Sequence, residues 1–242
     1  MQLSIKSIGD KRSHVSSQQG TATAPKKARI FLVDDHPIVR QGLSQLINQE
    51  SDLVMCGHAE DARSAMEAIT ASRPDLVIVD ISLAGPDGLD LLKQVRLTDP
   101  ALPVLILSML DESLYAGRAL RAGANGYIMK QEATDNVLVA VRRILHGEIY
   151  VSDRMARRIV AQLAGHPAAA KGSPIDLLSD RELEVFRLIG QGQSTRHIAE
   201  ALCLSVKTVE SYQAHIKDKL SLKNSRELMQ HAVQWVADKR TS

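Results

Sequence analysis

Five polar residues that follow short apolar runs are the candidates for chemistry in this sequence. Asp34 and Asp35 follow one run, Asp80 another, and Ser108 and Lys130 two more. Clustered carboxylates repel each other, which costs stability unless a cation lies among them. Oxygen ligands with a position open to solvent favour Mg²⁺ over zinc. A carboxylate beside Mg²⁺ can attack a phosphoryl group, and a neighbouring hydroxyl and ammonium group can then hold its oxygens.

The apolar runs are typical of strands that are buried on both faces, because each is too short for a helix. Amphipathic helical patterns separate them, and this alternation predicts a parallel sheet covered by helices on both faces. The carboxyl ends of such strands form one edge, where ligands bind. We therefore expect the five polar residues to converge at that edge. The predicted strands are residues 30–33, 53–56, 76–79, 104–107 and 127–129.

Composition excludes several classes of protein. The chain has 242 residues, of which 44% are hydrophobic and only 3% aromatic, so we expect aliphatic cores in one or two domains. Two cysteines, Cys56 and Cys203, are too few for a disulfide framework or a four-cysteine zinc site, and suit a reducing cytoplasm. No apolar run approaches the roughly 18 residues of a membrane span, and no secretory signal is predicted. Secreted, membrane, collagen-like and wholly disordered classes are excluded, and we expect a cytoplasmic protein.

Charge and periodicity divide the chain into four segments. Residues 1–28 lack periodic apolar positions and are predicted to be a flexible leader. Residues 29–147 carry the strand–helix alternation, with 11 basic against 16 acidic residues. Residues 148–174 are predicted to be a linker that contains one possible helix, Asp153–Leu163. Residues 175–242 show helical patterns only, with 10 basic against 9 acidic residues, so the two modules are expected to have different partners.

The C-terminal segment has the pattern of a helix-turn-helix. Ser179 and Glu182 have the spacing of a capping box, and glycines at 190 and 192 end that first helix. A short helix over 195–202, a tight turn and a longer helix over 206–220 follow. A fourth helix is expected over 224–237. Val209, Tyr212 or Gln213, Ile216 and Leu220 of the third helix should face inward. The outward side chains left for DNA are Lys207, Thr208, Glu210, Ser211, Ala214, His215, Lys217 and Lys219.

The sequence resembles a known family in two places. FLVDDHPIVRQGL, LVIVDISLAGPDGLDLL, VLILSM and RAGANGYIMK resemble the receiver domain of two-component response regulators. LSDRELEVFRLIGQGQSTRHIAEALCLSVKTVESYQAHIKDKL is similar to the helix-turn-helix of the NarL/FixJ (LuxR-type) class. The resemblance covers about residues 29–237 and implies a flavodoxin-like (βα)5 doubly wound receiver domain followed by a small all-α domain. It implies a phosphorylation-dependent transcription regulator that is not an enzyme, with a sensor histidine kinase and double-stranded DNA as partners, and a homodimer when phosphorylated.

The resemblance also assigns roles in the acidic cluster. Asp80 would accept the phosphoryl group, and Asp35, Asp80 and the backbone carbonyl of Ser82 would ligate Mg²⁺. Asp34 would act on the metal through water. The acceptor loop ISLAGPDG carries a Gly–Pro step where the family usually has a Met–Pro-like step.

Three further residues would transmit phosphorylation. By the same resemblance, Ser108 and Lys130 would contact the phosphoryl group. Tyr127 would be a switch aromatic that rotates inward when Ser108 moves toward the phosphate. The alternative for Tyr127 is a half-buried strand aromatic. The outcome would be either promoted dimerisation or release of the DNA helix from a blocking contact, and the sequence leaves both open.

On DNA, the resemblance places Glu210, Ser211 and Ala214 toward bases. An acidic side chain can accept a hydrogen bond from cytosine N4, so Glu210 suits a C·G pair. The modest basic balance predicts weak binding by a monomer and stronger binding by two copies on adjacent half-sites. Residues 226–236 would supply the dimer contact. The expected phosphate contacts are Lys207, Thr208, Lys217 and Arg196.

The sequence disfavours three other functions. A phosphohydrolase on a similar sheet would need a second aspartate two positions after Asp80 as its general acid, but Ile81 and Ser82 follow instead. A receiver that works without phosphate is disfavoured by the complete set of five polar residues. A small-molecule sensor of the LuxR type would need a ligand-binding domain, which residues 29–147 do not resemble.

Overall fold

The computed structural model describes residues 26–83, 88–164 and 174–240. Most of the predicted leader, the Gly–Pro step of the acceptor loop and most of the predicted linker after 164 lie outside these ranges. Within them, no helix has the length and apolar character needed to cross a membrane.

Residues 28–129 form the predicted parallel sheet. Its strands are β1 (Ala28–Val33), β2 (Leu53–Ala59), β3 (Leu76–Asp80), β4 (Val104–Ser108) and β5 (Gly126–Met129), in the order β2-β1-β3-β4-β5. The prediction of a doubly wound sheet is confirmed. Strand β2 is longer than the sequence predicted, because it pairs with β1 as far as Ala59. As an edge strand it needs less apolar surface, so its apolar pattern ends early.

Five helices cover the two faces of the sheet. They are α1 (Pro37–Asn48), α2 (Ala62–Ser72), α3 (Gly88–Thr98), α4 (Glu112–Arg121) and α5 (Ala133–Leu145). Successive strand residues point to opposite faces. Leu32 and Ile78 pack in the layer that contains α1 and α5, whereas Val33 and Val79 pack in the layer of α2, α3 and α4. Burial on both faces explains the continuous apolar runs, and it fixes the strand ends at one edge.

The possible helix in the linker is present as α6 (Asp153–Leu163). Ser152 caps its N-terminus by accepting a hydrogen bond from the Met155 amide. The Ser152 backbone amide in turn donates to Glu112 at 2.9 Å. Met155 is buried against α4, so α6 is held at the start of α4.

The C-terminal domain is helical, as predicted. A short 3-10 turn (Pro174–Leu177) precedes α7 (Asp180–Gly190), α8 (Thr195–Ala201), α9 (Val206–Lys219) and α10 (Ser225–Arg240). The capping box of Ser179 and Glu182 is formed. A Cβ at Gly190 would lie 2.4 Å from the Ala232 carbonyl oxygen, so glycine is required where α7 crosses α10. Val209 and Ile216 are fully buried and fix α9 to this core.

The two domains contact each other through α3, α4 and the start of α7. Arg118 on α4 donates to the Leu178 carbonyl oxygen at 2.7 Å and to Asp180 Oδ1 at 3.1 Å. Lys93 on α3 lies 3.2 Å from Asp180 Oδ2. We call this arrangement the docked contact. It involves the residues that precede and begin α7, and not α9.

Candidate functional site

The structure brings the predicted carboxylates together at the carboxyl edge of the sheet. Asp34 directly follows β1 and Asp80 ends β3, and both are almost fully buried. Asp34, Asp35, His36 and Asp80 each offer one ligand atom, and these atoms all lie within 4.8 Å of one another. Sequence reasoning did not single out His36, although it directly follows the aspartate pair.

Lys130 compensates part of this negative charge. Its ammonium nitrogen lies 2.7 Å from Asp34 Oδ2 and 2.8 Å from Asp80 Oδ2. Burial alone would lower the pKa of Lys130, but the two carboxylates outweigh it and the net pKa is raised. Burial raises the pKa of the Asp80 carboxyl, and Lys130 partly offsets this. One cation for three carboxylates leaves the cluster with net negative charge.

The cluster fits a hard divalent cation. The oxygens of its three carboxylates are the kind of ligand that suits Mg²⁺, whereas the imidazole of His36 is not a ligand that Mg²⁺ prefers. Asp35 is the most accessible of the three carboxylates, with 27% of its side chain exposed, so it opens the group to solvent. A bound cation here would relieve the remaining repulsion.

Backbone geometry holds the Asp80 carboxylate in place. The Ser82 amide donates to Asp80 Oδ1 at 3.0 Å. A Cβ at Gly88 would lie 2.0 Å from the Asp80 carbonyl oxygen. Only glycine therefore allows α3 to begin directly against the end of β3. Gly88 is the last glycine of the sequence AGPDG. The spacing of the motif alone did not reveal that this position lies so close to the end of β3.

Ser108 and Tyr127 both bind the residue that leads into α4. Ser108 is fully buried, and its hydroxyl accepts a hydrogen bond from the Leu110 amide at 3.1 Å. The Tyr127 hydroxyl donates to the Leu110 carbonyl oxygen at 2.8 Å. Burial raises the pKa of Tyr127, so its hydroxyl remains a donor. Tyr127 is fully buried and not half-buried, with 1% exposed, and its ring already lies inside, where the switch hypothesis expects it only after phosphorylation.

Arg40 is a residue of the site that sequence reasoning missed. It is largely buried on α1 and donates to the Asp34 carbonyl oxygen at 2.7 Å. Its second amino group pairs with Glu60, which follows β2. Arg40 therefore ties the ends of β1 and β2 together beside the acidic cluster. It lies six residues beyond Asp34 with no motif to mark it, so the sequence offered no signal.

The predicted DNA face is mostly open. Lys207, Glu210, Ser211 and Ala214 are exposed on α9, whereas Thr208 and Lys217 are half-buried. The Thr208 amide and hydroxyl bond Ser205, the cap of α9. His215 is exposed, with Nδ1 3.8 Å from Glu182 Oε1. Arg196, on α8, is 83% exposed and pairs with Glu200 at 3.1 Å. All these side chains except those of Thr208 and Lys217 are largely accessible to a ligand in solution.

Lys219 is exposed, as expected of an outward side chain of α9, but its ammonium group is paired within the domain. Its ammonium nitrogen lies 2.6 Å from Glu182 Oε2, and Glu182 is buried. Burial alone would raise the pKa of Glu182, but Lys219 and the Ser179 cap outweigh it and lower the pKa. Lys219 thus fastens the end of α9 to the start of α7, and this neutralises a buried carboxylate that the capping box needs.

We expect Lys219→Met to destabilise the helix-turn-helix domain by about 1–2 kcal/mol, because it leaves Glu182 buried without its cation. The pKa of Glu182 is lowered in the folded state, so the stabilisation is complete above its ordinary pKa of 4.5. It disappears as the pH falls through the lowered value. Denaturant unfolding at pH 7 and in acid measures this, with Lys217→Met as the matched control on α9. Equal stability of the two variants at pH 7 would rule out the anchoring role.

Two protein families match the chain. The family described as "Response regulator receiver domain" matches residues 30–142. The family described as "Bacterial regulatory proteins, luxR family" matches residues 176–232. The first match spans the sheet and its helices, and the second spans α7, α8, α9 and half of α10.

Individual relatives agree with these matches. The oxygen regulatory protein NreC of Staphylococcus haemolyticus is 36% identical over 209 residues, which is 85% of this chain and 96% of that protein. A LuxR-family response regulator from Aurantimonas is 35% identical, covers 57% of this chain and 99% of that one, and superposes with a TM-score of 0.54. RcsB from Salmonella enterica serovar Typhimurium, bound to promoter DNA with the phosphomimetic BeF3-, is 25% identical with a TM-score of 0.53 over 86% of this chain and all of that one.

A receiver domain joined to a LuxR-type helix-turn-helix defines a two-component response regulator. The chain belongs to the NarL/FixJ-type response regulators. It is a DNA-binding regulator of transcription, and the resemblance found in the sequence is confirmed.

Proposed function

We propose that Asp80 accepts a phosphoryl group from a sensor histidine kinase and that this controls DNA binding. A carboxylate oxygen of Asp80 attacks phosphorus, the bond from phosphorus to the kinase histidine breaks, and an acyl phosphate forms. The observation that carries this proposal is the grouping of Asp34, Asp35 and Asp80, two of which, Asp34 and Asp80, pair with the ammonium of Lys130. A catalytic cation there would neutralise charge on the transferred phosphoryl oxygens. We propose Mg²⁺, held by Asp35, Asp80 and the Ser82 carbonyl oxygen, with Asp34 acting through water.

The side chains of the pocket respond to the new phosphoryl group. In the unphosphorylated structure, Lys130 bridges two carboxylates. After phosphorylation it would shift its hydrogen bonds to the phosphoryl oxygens. The Ser108 hydroxyl would donate to the same group. Since Ser108 also holds the Leu110 amide, its movement pulls on the segment that begins α4. Tyr127 holds the carbonyl side of Leu110 and would follow, as the proposed switch residue.

Helix α9 is the proposed reader of the DNA. Glu210, Ser211 and Ala214 would face base edges in the major groove. The phosphate contacts would come from Lys207, Thr208, Lys217 and Arg196, with His215 at the rim. Two copies of the chain would occupy adjacent half-sites through residues 226–236, where Met229 and Val233 are 52% and 46% exposed. We propose that the protein works in the cytoplasm, because its DNA partner would be reached there.

Of the two routes that the sequence left open, the docked contact favours dimerisation. It engages the start of α7, while the outward side chains of α9 remain largely exposed. Phosphorylation therefore has no covered recognition helix to release. We propose instead that the docked contact restrains where the helix-turn-helix domain lies, and that its loosening allows two domains to meet on DNA. We further propose that the chain is not a phosphohydrolase, because Ile81 and Ser82 follow Asp80 where a general acid would be needed.

Mapping protected promoter DNA with and without acetyl phosphate and Mg²⁺ tests this function. We expect two adjacent half-sites to be protected at a lower protein concentration when the phosphodonor is present. The same footprint at the same concentration in both conditions would contradict phosphorylation control. Protection of a single half-site under both conditions would contradict the dimer.

We expect Lys207→Gln to weaken DNA binding about equally on all sequences, because Lys207 is proposed to contact phosphate. Each lost phosphate contact reduces the slope of log affinity against log salt by about 0.9 per subunit. Fluorescence anisotropy with a labelled promoter duplex at several salt concentrations measures the slope. Arg63→Gln, which removes an exposed charge from α2, serves as the matched control. An unchanged slope for Lys207→Gln would remove that residue from the interface.

A further inference from the structure

A cavity of about 250 Å³ lies between the two domains, apart from the acidic cluster. From the receiver domain, Met109, Leu114 and Tyr115 line it. From the helix-turn-helix domain, Arg187 and Trp235 line the opposite side. The walls combine apolar side chains with the polar side chains of Asp111, Arg187 and Gln191, and small-molecule sites likewise combine apolar walls with a few polar groups.

Two polar groups of this cavity lack well-formed hydrogen bonds. The side chain of Tyr115 is buried, with the residue 2% exposed, and its hydroxyl oxygen makes no well-formed hydrogen bond in the part of the chain that the structure describes, although the Arg187 guanidinium is close enough to interact with it. Nε of Arg187 likewise makes no well-formed hydrogen bond within the described residues. Buried donors without partners are uncommon and cost stability. A ligand that accepts hydrogen bonds from both groups would remove that cost.

The cavity is lined by one cation, Arg187, and one anion, Asp111, and the anion is already engaged within the receiver domain. Arg187 forms no ion pair within the described ranges, whereas Arg118 is paired with Asp180 and Arg181 with Glu184. Asp111 also lines the cavity, but its carboxylate is engaged as the cap of α4, where it accepts a hydrogen bond from the Ser113 amide at 2.8 Å. Arg187 is thus the cation available to a ligand.

We propose that this cavity binds a small carboxylate whose body is a single ring. The guanidinium of Arg187 would pair with the carboxylate, the Tyr115 hydroxyl would donate to it, and the ring would lie against Leu114 and Trp235. The volume is below the roughly 300–1,000 Å³ of sites for drug-sized ligands, so one ring fits better than a larger skeleton.

Binding would oppose the response to phosphorylation. The ligand contacts both domains, so it binds only while the docked contact is formed and shifts the population toward that arrangement. DNA affinity would fall with ligand, and phosphorylation would weaken ligand binding by the same factor. This second consequence rests on the proposed function, whereas binding itself does not.

Intrinsic fluorescence tests the binding, because Trp235 is the only tryptophan in the chain. The full chain is titrated with benzoate and with cyclohexanecarboxylate, and with benzamide as the neutral control. We expect a saturable change in tryptophan emission with both carboxylates, with Kd on the order of 1 mM, and at least ~10-fold weaker binding of benzamide.

Variants locate the site. Arg187→Gln is expected to weaken carboxylate binding by about 10-fold and Tyr115→Phe by a smaller factor, while Arg157→Gln on the exposed side of α6 leaves it unchanged. Circular dichroism and thermal unfolding show that each variant is folded. An equal response to benzamide, no saturable response, or wild-type binding by Arg187→Gln would overturn the site. Carboxylate binding that leaves DNA affinity unchanged in a protein that still responds to phosphodonor would overturn the coupling alone.

Discussion

Replacing Asp80 by asparagine is expected to abolish the increase in DNA affinity that acetyl phosphate and Mg²⁺ produce in the wild-type protein. An amide cannot attack phosphorus to form the acyl phosphate, and it is a weaker ligand for a divalent cation than a carboxylate. It also leaves Lys130 with one carboxylate partner, Asp34, in place of two. The residual DNA affinity should equal that of the unphosphorylated wild type, as measured by fluorescence anisotropy.

The matched control is Glu67→Gln, which removes an exposed carboxylate from α2. This variant should respond to phosphodonor as the wild type does. Incorporation of labelled phosphate, followed on denatured protein, should be lost in Asp80→Asn only. A phosphodonor response retained by Asp80→Asn would place the acceptor elsewhere, and the pocket would then be a metal site without a role in transfer.

The sequence was sufficient to predict that the carboxylates meet, because the topology of a parallel sheet determines where its strands end. Strands buried on both faces produce continuous apolar runs, and parallel strands bring their carboxyl ends to one edge. Asp34 and Asp80 are separated by 46 positions yet meet there, since both directly follow or end such a run. The capping box of Ser179 and Glu182 was equally readable, because its two hydrogen bonds depend on local spacing.

Other features depend on contacts between elements, which periodicity does not encode. An outward side chain of a helix is available to a ligand only if it is not paired with a neighbouring helix. Lys219 of α9 is paired with Glu182 of α7. Arg40 on α1 contacts Asp34, which lies six residues earlier, and Glu60, which follows β2. The docked contact requires Arg118 and Asp180 to meet across the linker, and no sequence pattern connects them. These residues form the contacts between one helix or strand and another. The hydrophobic periodicity of each element does not predict such contacts.

Breaking the docked contact should raise the DNA affinity of the protein without phosphorylation. Arg118 is 10% exposed and donates to Leu178, Asp180 and Ile175, so Arg118→Ala removes three hydrogen bonds at once. We expect the unphosphorylated variant to bind promoter DNA more tightly than the wild type, by a factor within the range of about 5–150 that is typical of coupling between sites.

The double variant Asp80→Asn, Arg118→Ala gives the sharper test of this coupling. If the contact acts after phosphorylation, the double variant should bind DNA as tightly as Arg118→Ala and ignore phosphodonor. Arg121→Ala, an exposed arginine on the same helix, should behave as the wild type. Unchanged affinity of unphosphorylated Arg118→Ala would show that the docked contact imposes no restraint. Phosphorylation would then have to act through the receiver domains alone, because α9 is exposed in either arrangement.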